Sequence, residues 1–173
     1  MNEIPKQVPK STHRESPKEA PAELDTEFVA ALKTFWEENI TFNQLLGLQV
    51  QSIRPAEVVG TIRMRPQLIG HRPTHRLHGG VISAGLDAIG GLAVMAAIAA
   101  RHMDEPLAQR MQRFMKLGTI DLRIDYLRPG IGSMFTLKAE VLRLGSRVAS
   151  TRMSFLNAEG KLLSTGAAAY IVS

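Results

Sequence analysis

The dominant pattern in the chain is the stretch 77–101, LHGGVISAGLDAIGGLAVMAAIAAR. From Val81 to Ala100 only Ser83 and Asp87 are polar. A helix that is apolar all round is buried, so the pattern predicts a core helix over 81–100. On a helical wheel Val81, Ile82, Ile89, Leu92 and Ala96 share one side, while Gly80, Ser83, Ala84, Gly90, Gly91 and Val94 surround Asp87 on the other. The large side chains are expected to face a sheet. Glycine in mid-helix costs about 1 kcal/mol against alanine. Gly90-Gly91 therefore predicts a close approach by another backbone or a ligand, and a second subunit is the expected source.

The flanking patterns change period. Over 24–46, Phe28, Leu32, Phe35 and Trp36 recur at helical spacing, with Asp25 or Thr26 as the cap and Asn39 and Thr41 as a break. The aromatic stripe is read as core packing. Gly47 ends this run. Residues 48–52 and 58–64 then alternate around the turn Arg54-Pro55-Ala56-Glu57 and predict a hairpin. Residues 66–76 read as a loop, and 107–115 as a short helix. The last third alternates in four runs. Ile120, Leu122, Ile124 and Tyr126 alternate with Thr119, Asp121, Arg123 and Asp125. Runs over 135–141, 148–156 and 162–172 follow, joined by short Gly- or Asn-containing turns. Short turns force antiparallel pairing, so the expected class is α+β: an antiparallel sheet of six strands wrapped around one long central helix.

Residues 1–22 carry Pro5, Pro9, Pro17 and Pro21 among Lys, Glu and Ser. They are read as a disordered tail, leaving 23–173 as one domain. The tail lacks the apolar core of a secretory signal. The chain has no cysteine, which removes disulfides, thiolate metal sites and a Cys nucleophile, and fits a reducing compartment; the expected location is cytoplasmic. The net charge of +5 suits a polyanionic or phosphate-bearing ligand. Aromatics are too few and too apolar in placement for a nucleic-acid surface. The 81–100 helix is long enough to cross a membrane, but Asp87 opposes insertion and none is expected.

A carboxylate inside an apolar helix needs a reason. Asp87 is either paired with one of the arginines or functional. His78-Gly79-Gly80 enters the same helix, where backbone N–H groups gather partial positive charge and can hold an oxyanion. His78 either bonds the backbone at this turn or orients a substrate. Asp87 lies two turns further on, about 10 Å along the axis, so carboxylate and oxyanion donors are expected to meet only across a dimer, as two composite sites. His71, His75 and His78 lack a nearby acidic ligand, and no metal is expected.

The segment 77–88, L-H-G-G-V-I-S-A-G-L-D-A, resembles the signature of hotdog-fold acyl-CoA thioesterases of the phenylacetate-degradation (PaaI-like) branch: His-Gly-Gly, then Asp nine residues after the His. The resemblance runs over 46–172 and includes T-I-D-L-R-I-D-Y-L-R-P at 119–129. It implies a hotdog fold, a homodimer or homotetramer, and hydrolysis of acyl-CoA with no cofactor, coenzyme A being part of the substrate. It implies Asp87 as general base or nucleophile, the N–H of Gly79, with that of Gly80, polarising the thioester carbonyl, His78 orienting substrate or loop, and Thr119 positioning water. It also implies Arg128, Arg143 and Arg147 as contacts for CoA phosphates. Many relatives carry Asn six or seven residues before the His; here His71-Arg72 stand there. The other readings are an acyl-thioester hydratase or dehydratase on the same fold, and a non-catalytic acyl-CoA or lipid-binding module.

Overall fold

The computed structural model describes residues 23–173. The tail expected over 1–22 lies outside the described residues. The first helix, α1 (Thr26–Thr34), starts where Asp25 accepts a hydrogen bond from the Phe28 N–H at 2.8 Å. Phe28 and Leu32 are its buried stripe. The helix then widens into a π-helical turn over Phe35–Asn39, breaks at Ile40, and resumes as α2 (Thr41–Leu46). The break falls where Asn39 and Thr41 predict it. Gly47, at φ 67°, closes α2 in the left-handed region that glycine adopts without strain.

Strands β1 (Leu48–Ile53) and β2 (Val58–Arg63) form the expected hairpin. The following segment is not featureless. It holds a two-stranded hairpin, β3 (Ile69–His71) and β4 (Arg76–Leu77), with one 3-10 turn before β3 and another joining the two strands. Its strands, three and two residues long, are too short for an alternation to show.

The core helix α3 runs Gly79–Ala100 and is capped by His78. It starts two residues earlier than the apolar pattern predicts because the glycines already have helical geometry. A short α4 (Leu107–Gln112) and a 3-10 turn (Arg113–Lys116) lead to β5 (Gly118–Tyr126), β6 (Met134–Leu144), β7 (Val148–Asn157) and β8 (Leu162–Ile171). All six long strands form one antiparallel sheet in the order β1-β2-β6-β7-β8-β5. The sheet wraps α3, whose Ile82, Leu86, Ile89, Leu92 and Met95 are buried against inward residues such as Ile62, Phe135, Leu137, Met153 and Phe155. Burying each such side chain stabilises the fold by about 1.5–3 kcal/mol. α3 is the one described helix apolar and long enough to cross a membrane; 72% of its apolar window is buried, so it is the core of the domain.

Two expectations, one about α3 and one about β5, are corrected. The space beside Gly90 is filled from within the chain, not by a second subunit. A Cβ there would collide with the Tyr170 hydroxyl and lie 2.6 Å from the Met153 sulfur. Gly91, by contrast, borders a cavity, with Trp36 and Leu117 of the same chain each 3.6 Å from where its Cβ would be. In β5 the regular alternation breaks at one point. Thr119 pairs with Tyr170 and Asp121 with Ala169, which leaves Ile120 as the extra residue of a bulge. Ile120 is therefore 57% exposed, and Thr119 turns to the α3 side of the sheet. A bulge re-aims side chains in this way.

Candidate active site

Asp87 sits midway along α3 and is half-buried rather than sealed in the core. Thr119 donates its hydroxyl to Asp87 Oδ1 at 2.9 Å. Tyr170 donates to the same oxygen at 3.2 Å and to the Asp87 backbone carbonyl at 3.0 Å. Oδ2 has no hydrogen-bond partner among the described residues. No arginine pairs with Asp87 there either, so the expectation of a purely structural ion pair is not met. Two hydroxyl donors offset the cost of the half-buried carboxylate while leaving one oxygen open.

Tyr170 is 1% exposed, and its phenol lies over Gly90. Burial, followed by the neighbouring Asp87 charge, pushes its pKa far above the usual phenol range. It therefore remains a hydrogen-bond donor at any ordinary pH. Sequence pattern alone missed Tyr170. The available signal was a pair of oddities: a large polar aromatic ending the run Gly166-Ala167-Ala168-Ala169, and an unexplained mid-helix glycine that fits it.

Asp87 lines a cavity of about 290 Å³ together with Trp36, Ile40, Phe42, Asn43, Ala84, Ala88, Gly91, Leu117 and Thr119. The N-terminal helices thus form one wall of the site, which the reading of their aromatic stripe as core packing leaves out. Asn43 is buried, and its amide donates to the Trp36 carbonyl at 2.9 Å. This bond holds the π-helical turn against the cavity. His71 and Arg72, which stand where the resemblance implies an Asn, are exposed and do not line it. His71 Nδ1 is instead 2.8 Å from the Thr74 hydroxyl within the small hairpin.

The glycine pair lies elsewhere. His78 Nδ1 accepts the Gly80 N–H at 2.9 Å, so Gly80 is engaged locally and His78 serves as the helix cap. The Gly79 N–H has no acceptor among the described residues. Of the two candidate donors it is the free one. The Gly79 carbonyl accepts from the Tyr126 hydroxyl at 3.0 Å. A second cavity of about 450 Å³ borders Gly79, Ile82, Tyr126 and Arg128. Eight residues of helix separate Gly79 from Asp87, about 12 Å along the axis. One chain therefore does not bring them together.

Nor does it gather the three arginines. Arg128 is exposed at the Gly79 end and donates to the Leu162 carbonyl at 2.9 Å. Arg143 and Arg147 flank the β6–β7 turn, where the Leu144 carbonyl accepts from Arg101 beyond the other end of α3. The length of α3, about 33 Å, lies between the two groups. Among the described residues no group of three or more His, Cys, Asp or Glu side chains could hold a metal ion.

Comparison with known proteins adds an independent line. The model of the thioesterase superfamily matches residues 75–164. A medium/long-chain acyl-CoA thioesterase, YigI, of Salmonella typhimurium is 35% identical over 134 residues, covering 78% of this chain and 86% of that protein. Its Escherichia coli K12 counterpart, of the same name, is 34% identical over the same share. The crystal structure of a Shewanella oneidensis protein related to the thioesterase superfamily superposes with a TM-score of 0.80 at 37% identity, covering 85% of this chain and 96% of that one. A Streptococcus pneumoniae thioesterase protein solved with coenzyme A shares the fold, with a TM-score of 0.59 at 20% identity over 73% of this chain and 85% of that one. With its antiparallel sheet wrapped around α3, this chain belongs to the thioesterase (hotdog) superfamily.

Proposed function

We propose that the protein hydrolyses acyl-CoA thioesters to free coenzyme A and a carboxylic acid. The observation that carries this reading is the state of Asp87: Oδ1 is held by Thr119 and Tyr170, Oδ2 is left without a partner among the described residues, and the residue lines a largely apolar cavity. A carboxylate so held can take a proton from water as the water oxygen attacks the thioester carbonyl. The C–S bond then breaks, and the leaving thiolate recovers the proton. Attack by Asp87 itself would instead give a mixed anhydride that water hydrolyses to the same products. The Gly79 N–H at the α3 N-terminus stabilises the developing oxyanion, with His78 holding the turn in shape.

Because Gly79 and Asp87 of one chain lie about 12 Å apart, the reading requires a homodimer with two shared sites. The exposed Ile120 and Tyr126 on β5, an edge strand of the sheet, support such an association; pairing of dimers would give a tetramer. The names of the YigI relatives support medium- or long-chain acyl groups. The His78 to Asp87 spacing supports placement near the PaaI-like branch. Arg128, at the rim of the Gly79 cavity, suits a CoA phosphate, while Arg143 and Arg147 serve a different end of the molecule. A single domain over 23–173 and a cytoplasmic location complete the reading.

Thiol release from a panel of acyl-CoAs, with the products identified by mass spectrometry, tests it. Free CoA and fatty acid are expected. A hydroxyacyl or enoyl thioester would indicate hydration or dehydration, and tight binding without turnover would indicate a binding module.

A further inference from the structure

Trp36 is the largest side chain bordering the Asp87 cavity, and it is held from several directions. Its ring packs on Phe114 and Phe35 at centroid distances of 5.7 and 6.4 Å. Its carbonyl accepts from Asn43, and the next residue, Glu37, accepts the Val50 N–H through its carboxylate. The indole is 6% exposed and does not move without disturbing this packing. Opposite stands Gly91, one helical turn beyond Asp87 on the same face of α3. The gap between them is narrow: a Cβ on Gly91 would lie 3.6 Å from the indole ring and from Leu117. That is ordinary contact, so alanine fits there without forcing the fold. The glycine is therefore not explained by packing, unlike Gly90, where a Cβ collides with Tyr170.

We propose that Gly91 and Trp36 set the acyl chain length the site accepts, the two forming the end wall of the cavity against which the tail stops, with the missing side chain at Gly91 leaving a recess for its last carbon. This rests on the acyl-CoA reading. The thioester carbonyl lies at Asp87, and the tail leaves it along the apolar wall of Ala84, Ala88, Ile40 and Leu117. The shallow recess between Trp36 and Gly91 closes the far end of that wall. Filling it shortens the preferred acyl group, and removing the indole lengthens it.

The test compares wild type, G91A and W36L in thiol release from butyryl-, octanoyl-, dodecanoyl- and palmitoyl-CoA, with thermal melts of each. Alanine in mid-helix favours folding, so the G91A melting temperature should equal or exceed that of wild type. Its ratio of kcat/KM for dodecanoyl- over butyryl-CoA should fall about tenfold or more, since one methyl group in an acyl pocket discriminates on that scale. W36L should shift the same ratio the opposite way. If W36L does not fold, G91A decides alone. A stable G91A with the wild-type chain-length profile overturns the proposal and leaves the thioesterase reading intact. A wild type that releases no thiol from any member overturns both.

Discussion

Thr119 stands opposite Tyr170 in the sheet because β5 carries one extra residue, Ile120, between Thr119 and Asp121. Strict alternation would send Thr119 outward with Asp121. The bulge turns it inward, and both hydroxyls then converge on Asp87 Oδ1. In the proposed reaction the pair fixes which carboxylate oxygen faces the substrate.

Replacing Thr119 by alanine therefore removes one of two donors without touching the core. T119A is expected to lower kcat about tenfold, the scale of one hydrogen bond to a charged group, with little change in melting temperature. T119S, which keeps the hydroxyl, should recover most of the loss. Steady-state kinetics on all three proteins checks this.

Tyr170 gives a pH signature. Its folded pKa is raised, by burial first and by the Asp87 charge second. An unfolded tyrosine loses its proton near pH 10. The stability from the protonated phenol is thus fully present below about pH 10 and is lost as pH rises beyond it. Thermal melts above that pH should show wild type losing stability more steeply than Y170F. Equal slopes would mean the phenol is not shielded as described.

Shared sites make a prediction about mixtures. His78 has φ −67° and ψ 136°, a conformation suited to the residue before a proline. Gly79 is the first helical residue, where proline is tolerated. G79P then deletes the free N–H and leaves the helix start in place. G79P and D87N are each expected to be nearly inactive. After co-refolding, half of the dimers are mixed, and each mixed dimer holds one intact site, giving about a quarter of wild-type activity. Sites built within one chain would show no recovery.

Legibility in the sequence differed by element. Period two in β5 through β8 and the apolar run of α3 were readable because each face of an element has one neighbour. Gly47 and Asp25 were readable because caps are local chemistry. The bulge at Ile120 was not, since nothing in T-I-D-L-R-I-D-Y marks where register slips. His78, Gly79 and Asp87 were visible as a spaced set, but the division of labour between Gly79 and Gly80 depends on a ring nitrogen's position. Tyr170 and Trp36 are 83 and 51 residues from Asp87 and reach it only through the wrapping of sheet and N-terminal helices around α3. Gly90 made sense only beside Tyr170.

In the proposed reaction the Asp87 carboxylate performs the chemistry. D87N keeps the shape and can still accept from Thr119 and Tyr170, but it can neither take a proton from water nor attack a thioester. Thiol release from dodecanoyl-CoA by purified D87N, beside a thermal melt matching wild type, is the most direct measurement. A fall in kcat of about a thousandfold is expected, within the range for losing a general base. A folded D87N that releases thiol at the wild-type rate would contradict it.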